Sequence, residues 1–212
     1  FNLLYKELRL AAHPTLYVFT LLGALVLVPA YPYSVVFMFG CLAPYITFTY
    51  GRETNDIYYT VLLPVKKRDV VKAKCLLMVL VQMSQLIVSL PFAFLRVHLI
   101  PEGNPVGIEA NVAYYGFGLM IFAMFNVVLF TQFFKTAYKA GKAFLLASIL
   151  PLLGIITIEV LPHLPSLGWL DSVAPNMLLR QLPILFVGLA AYVIGMLLAY
   201  KVAAKRFEKV DL

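Results

Sequence analysis

The sequence predicts an all-helical membrane protein, and three observations support this fold class. Hydrophobic residues make up 62% of the 212 residues and charged residues only 13%, about half the share that soluble domains carry. Long intervals lack Asp, Glu, Lys and Arg altogether. The net charge of +7 comes from short basic clusters between those intervals, which is typical of membrane topology rather than of nucleic-acid binding. The composition therefore excludes a soluble domain, a disordered chain and a disulfide scaffold.

The charge-free intervals predict six transmembrane helices within one domain, residues 1–212. A helix crosses a bilayer with about 20 apolar residues, and the first interval, Leu10–Gly51, has 42 residues. Its middle holds Pro29 and Pro32, which disfavour helix and predict a tight turn between two spans. Each of the other intervals supplies one span. The six spans are predicted near residues 14–30, 33–50, 75–97, 113–134, 143–161 and 182–200.

The basic residues also predict the orientation of the spans. An even number of spans puts both termini on the same side, and Lys and Arg collect on the cytoplasmic side of a membrane. With cytoplasmic termini, 15 of the 17 Lys and Arg residues lie in inner segments, and only Arg96 and Arg180 lie outside. We therefore predict a multi-pass protein with both termini in the cytoplasm and with membrane lipids around it.

The segment before the first span predicts an amphipathic helix over residues 2–13. Its polar residues recur at spacings of four, three and four, and its apolar residues share another face. The two faces hold Asn2, Lys6, Arg9 and His13 on one side and Leu4, Leu8, Ala11 and Ala12 on the other. Such a helix lies along the membrane surface before Pro14 turns the chain into the first span. The same pattern also fits a cytoplasmic extension of that span.

The first inner connection, GRETNDIYYTVLLPVKKRDVVKAK at residues 51–74, predicts a short helix. Thr54 or Asn55 suits its N-cap, and Pro64 ends it. The apolar residues that we expect it to present to the cytosol are Tyr58, Tyr59 and Leu62. This surface is a candidate docking site for a protein. The alternative is a helix that rests on lipid headgroups.

The last outer connection, Pro162–Gln181, is rich in leucine yet interrupted by Pro165, Gly168 and Pro175. A water-exposed loop would not carry so many apolar side chains. The segment therefore predicts short helices that re-enter the outer half of the bilayer, which is tolerated where protein covers the backbone. An ordinary loop at the membrane interface is the alternative.

Small and polar residues within the spans predict how the helices pack. Ala191, Gly195 and Ala199 form a stripe of small residues that is typical of tight helix contacts. Five polar residues either form hydrogen bonds between helices or line a path, and they are Gln82, Ser84, Gln85, Asn126 and Gln132. Cys41 and Cys75 are expected to be small core residues, because a disulfide is disfavoured in a reducing compartment.

Three features together resemble the ABC-2 type permeases, the membrane subunits of ATP-binding-cassette (ABC) transporters. These features are the opening FNLLYKELRLAAHP, the inner segment 51–74 and the six-span layout. Within that family the chain is similar to small bacterial six-span permeases that include the membrane subunits of the phenol-soluble-modulin exporter. The resemblance implies a location in the bacterial plasma membrane. It also implies an amphipathic N-terminal helix and a re-entrant outer segment before the last span.

The resemblance further implies partners and the residues that contact them. In this family two permeases pair above two cytosolic ABC ATPase subunits, and a coupling helix in the first inner connection binds the ATPase. For a chain of this size we expect a two-fold homodimer. The coupling residues implied here are Arg52, Glu53, Asn55, Asp56, Tyr58, Tyr59 and Leu62.

The sequence contains no motif for chemistry of its own. A P-loop requires G-x-x-x-x-G-K-[ST], but the only Gly-Lys pair, Gly141-Lys142, is followed by Ala143, and Thr136 stands where the first glycine should be. Neither HExxH nor GxSxG occurs, and the histidines have no matching ligand cluster. We therefore expect no enzyme activity, no catalytic residue, no metal site and no bound cofactor. ATP and Mg would be used by the partner subunit.

The substrate route is expected to be apolar and aromatic, because almost no charged residue lies inside the spans. Glu159 is the acid nearest a span interior, and it is either a solvated carboxylate at the interface or a residue that faces the route. The resemblance places the route at the subunit boundary beside the second and fifth helices. The candidate lining residues are Tyr45, Phe48, Thr49 and Glu159.

Such walls suit amphipathic peptides, lipids and hydrophobic drugs, and the similarity to the subgroup favours cytolytic amphipathic peptides. Three alternative functions remain open from the sequence. They are a lipid- or drug-exporting ABC permease, a membrane enzyme and an ATP-independent carrier. Recovery of a P-loop ATPase together with the chain would exclude the last two.

Overall fold

The regular secondary structure is entirely helical in the residues that the computed structural model describes, 2–29, 31–100 and 103–211. The prediction of an all-helical fold is thereby confirmed. Along these residues the α-helices are α1 (Asn2–Lys6), α2 (Thr15–Leu21), α3 (Val35–Glu53), α4 (Asp56–Val61), α5 (Lys67–Leu99), α6 (Val112–Phe133), α7 (Ala140–Val160) and α8 (Pro175–Phe207). A π-helical turn, Glu7–Ala11, prolongs α1, and a 3-10 segment, Leu22–Leu27, prolongs α2.

Four of the six predicted spans correspond to helices that are long and apolar enough to cross a membrane. These are α5, α6, α8 and α7 with its extension to His163. The pair Asn2–Ala11 and Thr15–Leu27, bent by 93°, adds a fifth if it is counted as one span. The remaining predicted span, near residues 33–50, corresponds to α3, which is 19 residues long and carries Arg52 and Glu53 at its end. The count of six spans stays a prediction.

Two of the helices are longer than their apolar intervals predict. α5 and α8 each have 33 residues, whereas residues 75–97 and 182–200 were predicted. An apolar interval marks only the part of a helix that suits lipid, while the helix continues until a backbone signal ends it. At their first turns, α5 begins after the extended backbone of Lys66, and α8 begins at Pro175.

The segment between α7 and α8 contains two 3-10 turns, Leu161–His163 and Gly168–Leu170. Each turn has three residues, and α8 begins soon afterwards at Pro175. The short helices predicted for this outer connection are therefore single turns. Their insertion into a membrane stays a prediction.

The amphipathic helix predicted over residues 2–13 ends at Ala11. Ala12 has an extended backbone, with φ −70° and ψ 129°, so the chain leaves the helix two residues before Pro14. The 93° bend between Asn2–Ala11 and Thr15–Leu27 fits a helix that lies across the direction of the following one. The bend is not that of a straight extension of the span, and the location of Asn2–Ala11 on the membrane surface stays a prediction.

α6 lies at the centre of the bundle and packs most extensively against α8. Burial confirms the central position of α6, because 61% of its apolar window is buried, whereas only 22% of the apolar window of α7 is. Gly116 and Gly188 allow the two backbones to touch, since a Cβ atom on Gly188 would lie 2.2 Å from the Gly116 carbonyl oxygen. Gly195 faces Ala123, and Ala199 is fully buried. The predicted packing role is confirmed for Gly195 and Ala199.

Polar side chains form hydrogen bonds between helices in the middle of the bundle. Gln82 of α5 and Asn126 of α6 exchange two hydrogen bonds of 3.0 and 2.8 Å. The Tyr192 hydroxyl of α8 donates to Gln82 Oε1 at 2.8 Å. Gln85 Nε2 donates to the carbonyl oxygen of Val36 at 3.0 Å. Of the two sequence-based alternatives, these contacts support hydrogen bonding between helices for Gln82, Gln85 and Asn126, where an unpaired polar group would be costly.

Candidate functional site

α4 exposes one side and is anchored by the other. Tyr58, Tyr59 and Leu62, at the end of α4, are 48%, 62% and 67% exposed, whereas Ile57 and Thr60 face the bundle and are buried. The rings of Tyr58 and Tyr59 contact edge to face, with centroids 5.8 Å apart. We call Tyr58, Tyr59 and Leu62 the coupling surface, after the role predicted for them, and all three are exposed.

A sharp turn after α3 sets the direction of α4. Asn55 has left-handed backbone angles, φ 53° and ψ 30°, which asparagine adopts more readily than most residues. The predicted side-chain cap is not formed by Asn55, and the Thr54 hydroxyl instead donates to the Tyr50 carbonyl oxygen at 3.1 Å. Asn55 therefore occupies the predicted N-cap position, but it contributes its left-handed backbone conformation and not the predicted side-chain hydrogen bond.

Beneath α4, four charged side chains form what we call the ionic cluster: Lys6, Glu7, Asp56 and Lys74. Lys74 Nζ lies 2.9 Å from Glu7 Oε2 and 3.0 Å from Asp56 Oδ2. Lys6 Nζ lies 2.8 Å from Glu7 Oε1 and 2.5 Å from Asp56 Oδ1. Each ammonium group thus bridges both carboxylates, and the four formal charges cancel.

The ionic cluster is shielded from solvent, and the side chains of Lys74 and Glu7 are only 3% and 1% exposed. Burial raises the pKa of the Asp56 carboxyl, but the ammonium groups of Lys74 and Lys6 offset this by more, so the pKa lies below its ordinary value. Asp56 belongs to the predicted coupling residues, yet its carboxylate faces the bundle. The sequence pattern contains no signal for this contact, because its partners are 50 and 18 positions away in the chain.

Arg52 and Glu53 lie at the end of α3, beside the turn into α4. The Arg52 guanidinium lies 3.6 Å from the Glu53 carboxylate and 5.6 Å from the centroid of the Tyr138 ring. The Glu53 side chain is 62% exposed. Because an exposed ion pair stabilises a fold little, this contact contributes little to the stability of the turn.

The candidate route residues on α3 occupy different environments. Phe48 is buried in the core, and its ring centroid lies 4.8 Å from that of Phe133. Tyr45 stacks on Phe144 of α7, with centroids 4.1 Å apart. Tyr45 and Thr49 line a pocket of about 230 Å³ together with His13, Ile46, Tyr50 and Glu53. The structure therefore brings Tyr45 and Thr49 together and places Phe48 away from them.

Glu159 joins three segments at the opposite end of the bundle from the ionic cluster. Its Oε1 accepts hydrogen bonds from the Ser34 hydroxyl and, at 3.1 Å, from the Ser34 N–H. Its Oε2 accepts from the Ile108 N–H at 3.2 Å. A Cβ atom on Gly107 would lie 1.4 Å from this oxygen, so the contact requires glycine there. We call Glu159, Ser34, Gly107 and Ile108 the outer clamp; a role of Glu159 in the route stays a prediction.

A second network lies near the outer clamp, and the sequence did not predict it, because Arg96 was counted only as a charge on the outer side. Arg96 is 1% exposed; its Nε donates to the Tyr33 hydroxyl at 2.6 Å, and its Nη2 lies 3.3 Å from Glu109 Oε1. Burial raises the pKa of the Glu109 carboxyl; Arg96 lowers it in part, and Asp171 raises it further. The sequence did contain one signal for this pair: Arg96, near the end of α5, and Glu109, just before α6, carry opposite charges.

Long apolar helices, with polar side chains paired between them, define a multi-pass membrane protein. Over residues 2–204 the chain matches the family described as ABC-2 family transporter protein, and it belongs to that family. Membrane permeases of this family typically pair with an ATPase subunit. No curated protein and no solved structure matches the chain. The resemblance to ABC-2 permeases is confirmed, while the similarity to the phenol-soluble-modulin subgroup stays a prediction.

Proposed function

We propose that the chain is the permease subunit of an ABC exporter in a bacterial plasma membrane, and that a separate cytosolic ATPase drives it. Family membership supports the assignment to ABC permeases. The observation that carries the proposal is the coupling surface, where three apolar side chains are exposed on a helix whose other side is anchored to the bundle. Such an anchored apolar patch suits a groove on a partner protein.

The chemistry is divided between two subunits in this proposal. ATP and Mg are bound and used by the ATPase, whereas this chain holds no cofactor and performs no catalysis. Both termini and α4 lie on the cytoplasmic side, as the distribution of Lys and Arg indicates. α4 then faces the compartment that contains ATP.

We propose that the substrates are amphipathic or hydrophobic, with cytolytic peptides as the first candidates. The stacked pair Tyr45 and Phe144 and the pocket beside Thr49 support a route with aromatic walls along α3 and α7. Glu159 would lie near its outer end. A lipid- or drug-exporting permease is the second candidate, because the same walls suit those substrates.

The coupling surface provides the test of this function. Tyr58→Ala and Leu62→Asp are each expected to reduce transport per ATP hydrolysed, because truncation of an anchor in a buried pocket costs about 2 kcal/mol or more of binding free energy. Neither change touches the core, so the permease should still fold. The measurement is ATP hydrolysis and peptide export in vesicles reconstituted with the ATPase.

Tyr5→Ala is the matched control, since Tyr5 is also an exposed tyrosine, at 63%, and belongs to the N-terminal helix α1 rather than to α4. It should leave coupling unchanged. Unchanged coupling in both Tyr58→Ala and Leu62→Asp would contradict the proposal. Failure of the unmodified chain to capture a P-loop ATPase would favour an ATP-independent carrier instead.

We also propose that the permease is a two-fold homodimer. A single chain of this size cannot readily enclose a route for a peptide, and two-fold symmetry is the commonest closed arrangement. The apolar face of α7, of which only 22% of the apolar window is buried, is open to a second copy as it is to lipid. Mass measurement of the detergent-solubilised complex should give two permease copies. Full transport activity from a complex with one copy would refute the dimer.

A further inference from the structure

We infer that the ionic cluster transmits the movement of α4 to the membrane helices, and that Lys74 is the positioning residue through which α5 receives it. This inference rests on the proposed function of the coupling surface. Lys6 and Glu7 belong to the N-terminal segment Asn2–Ala11, Asp56 opens α4, and Lys74 lies in α5. The cluster is therefore a point at which three separate elements meet.

The contacts around α4 make the cluster its main polar attachment. α4 has only six residues, and its buried apolar contact is Ile57. Lys6 Nζ binds α4 twice, at Asp56 Oδ1 and at 2.9 Å from Thr60 Oγ1. Lys74 Nζ binds Asp56 from the opposite side at 3.0 Å. A force applied to α4 would thus be passed to α5 through Asp56, and to the N-terminal segment through Asp56 and Thr60.

Burial makes these attachments difficult to break. Lys74 and Glu7 are almost completely enclosed, and separating one buried charge from its partners leaves it uncompensated in a medium of low dielectric constant. The ammonium group of Lys74 also lies 5.6 Å from the centroid of the Phe48 ring, which occupies the core side of the cluster. α4 and the inner end of α5 are therefore expected to move as one body.

α5 has the length to carry such a movement across the whole protein. Lys74 and Arg96 are 22 residues apart in this helix, which corresponds to about 33 Å at 1.5 Å per residue. Arg96 is itself buried and bound to Tyr33 and Glu109 at the other end. One continuous helix thus connects two buried charge networks, the first below the coupling surface and the second beside the outer clamp.

Two double variants, each of which leaves the net charge unchanged, distinguish a loss of transmission through α5 from a loss of folding. Glu7→Gln with Lys74→Met leaves the Lys6–Asp56 pair and detaches α5. Lys6→Met with Glu7→Gln leaves the Asp56–Lys74 pair and detaches the N-terminal segment. Each variant keeps one of the original ion pairs, so their thermal midpoints in detergent should be similar.

The readout is peptide export per ATP hydrolysed, measured in vesicles that contain the permease and its ATPase. We expect the variant without Lys74 to lose about ten-fold or more in this ratio, within the usual range of coupling between sites, while ATPase capture is retained. The variant that keeps Asp56–Lys74 should remain within about three-fold of the unmodified chain. Equal ratios in the two variants would overturn the inference.

A measurement on the unmodified complex covers the case in which the variant without Lys74 does not fold. ATP binding should change hydrogen-exchange protection in α4 and in the inner turns of α5 together. A change in α4 alone would overturn the inference but leave the proposed function intact. If the unmodified chain captures no ATPase, the proposed function fails and the inference fails with it.

Discussion

Gly188→Ala is expected to destabilise the permease strongly. The new Cβ atom would lie 2.2 Å from the carbonyl oxygen and 2.9 Å from the Cα atom of Gly116. Both atoms belong to the backbone of α6, so no side-chain rotation relieves the overlap, and α6 and α8 must separate. We expect a cost at or above the upper end of the ~1–3 kcal/mol that overpacking usually causes.

The measurement is the thermal midpoint and the monodisperse fraction of the purified protein in detergent. Gly154→Ala is the matched control, because Gly154 is also an internal helix glycine and its Cβ atom would meet Met124 and Ile121 at an ordinary 3.5 and 3.6 Å. That control should be neutral or slightly stabilising, since alanine favours helix by about 1 kcal/mol over glycine. Equal stability of the two variants would contradict the close helix crossing.

Glu159→Gln is expected to loosen the outer clamp. Both carboxylate oxygens accept hydrogen bonds, one from Ser34 and the other from the N–H of Ile108. Glutamine replaces one of these oxygens with an NH₂ group, so at least one donor loses its acceptor. A buried donor left unpaired costs about 1–3 kcal/mol. The thermal midpoint of the purified permease should fall accordingly.

The same variant distinguishes a clamp from a residue that contacts the substrate. Export of two peptides matched in hydrophobicity but different in net charge should change equally if Glu159 acts only in the outer clamp. A selective loss for the cationic peptide would instead place the carboxylate on the exit path. Glu208→Gln is the control, because Glu208 pairs with Arg68 at an exposed position and such a pair should affect neither stability nor export measurably.

The sequence by itself determined the class of protein and the location of most helices. Charge-free intervals identify α5, α6, α7 and α8 because lipid tolerates so few charged residues. The segment 51–74 was sufficient to predict a short helix with Tyr58, Tyr59 and Leu62 on its exposed side, since Pro64 and helical spacing are local signals. The family was also recognisable from such local segments, and the match over residues 2–204 confirms it.

Only the tertiary structure decided which side chains meet. Ser34 and Glu159 are 125 positions apart, and Lys74 and Glu7 are 67 apart. Hydropathy and charge patterns describe each segment alone, and in lipid one apolar helix face is nearly as stable as another. The pairing of helices therefore depends on the fit of small residues such as Gly116 and Gly188 and on the mutual satisfaction of buried polar groups. For that reason Asp56 could be placed on α4 from the sequence, whereas its inward orientation toward Lys6 and Lys74 could not.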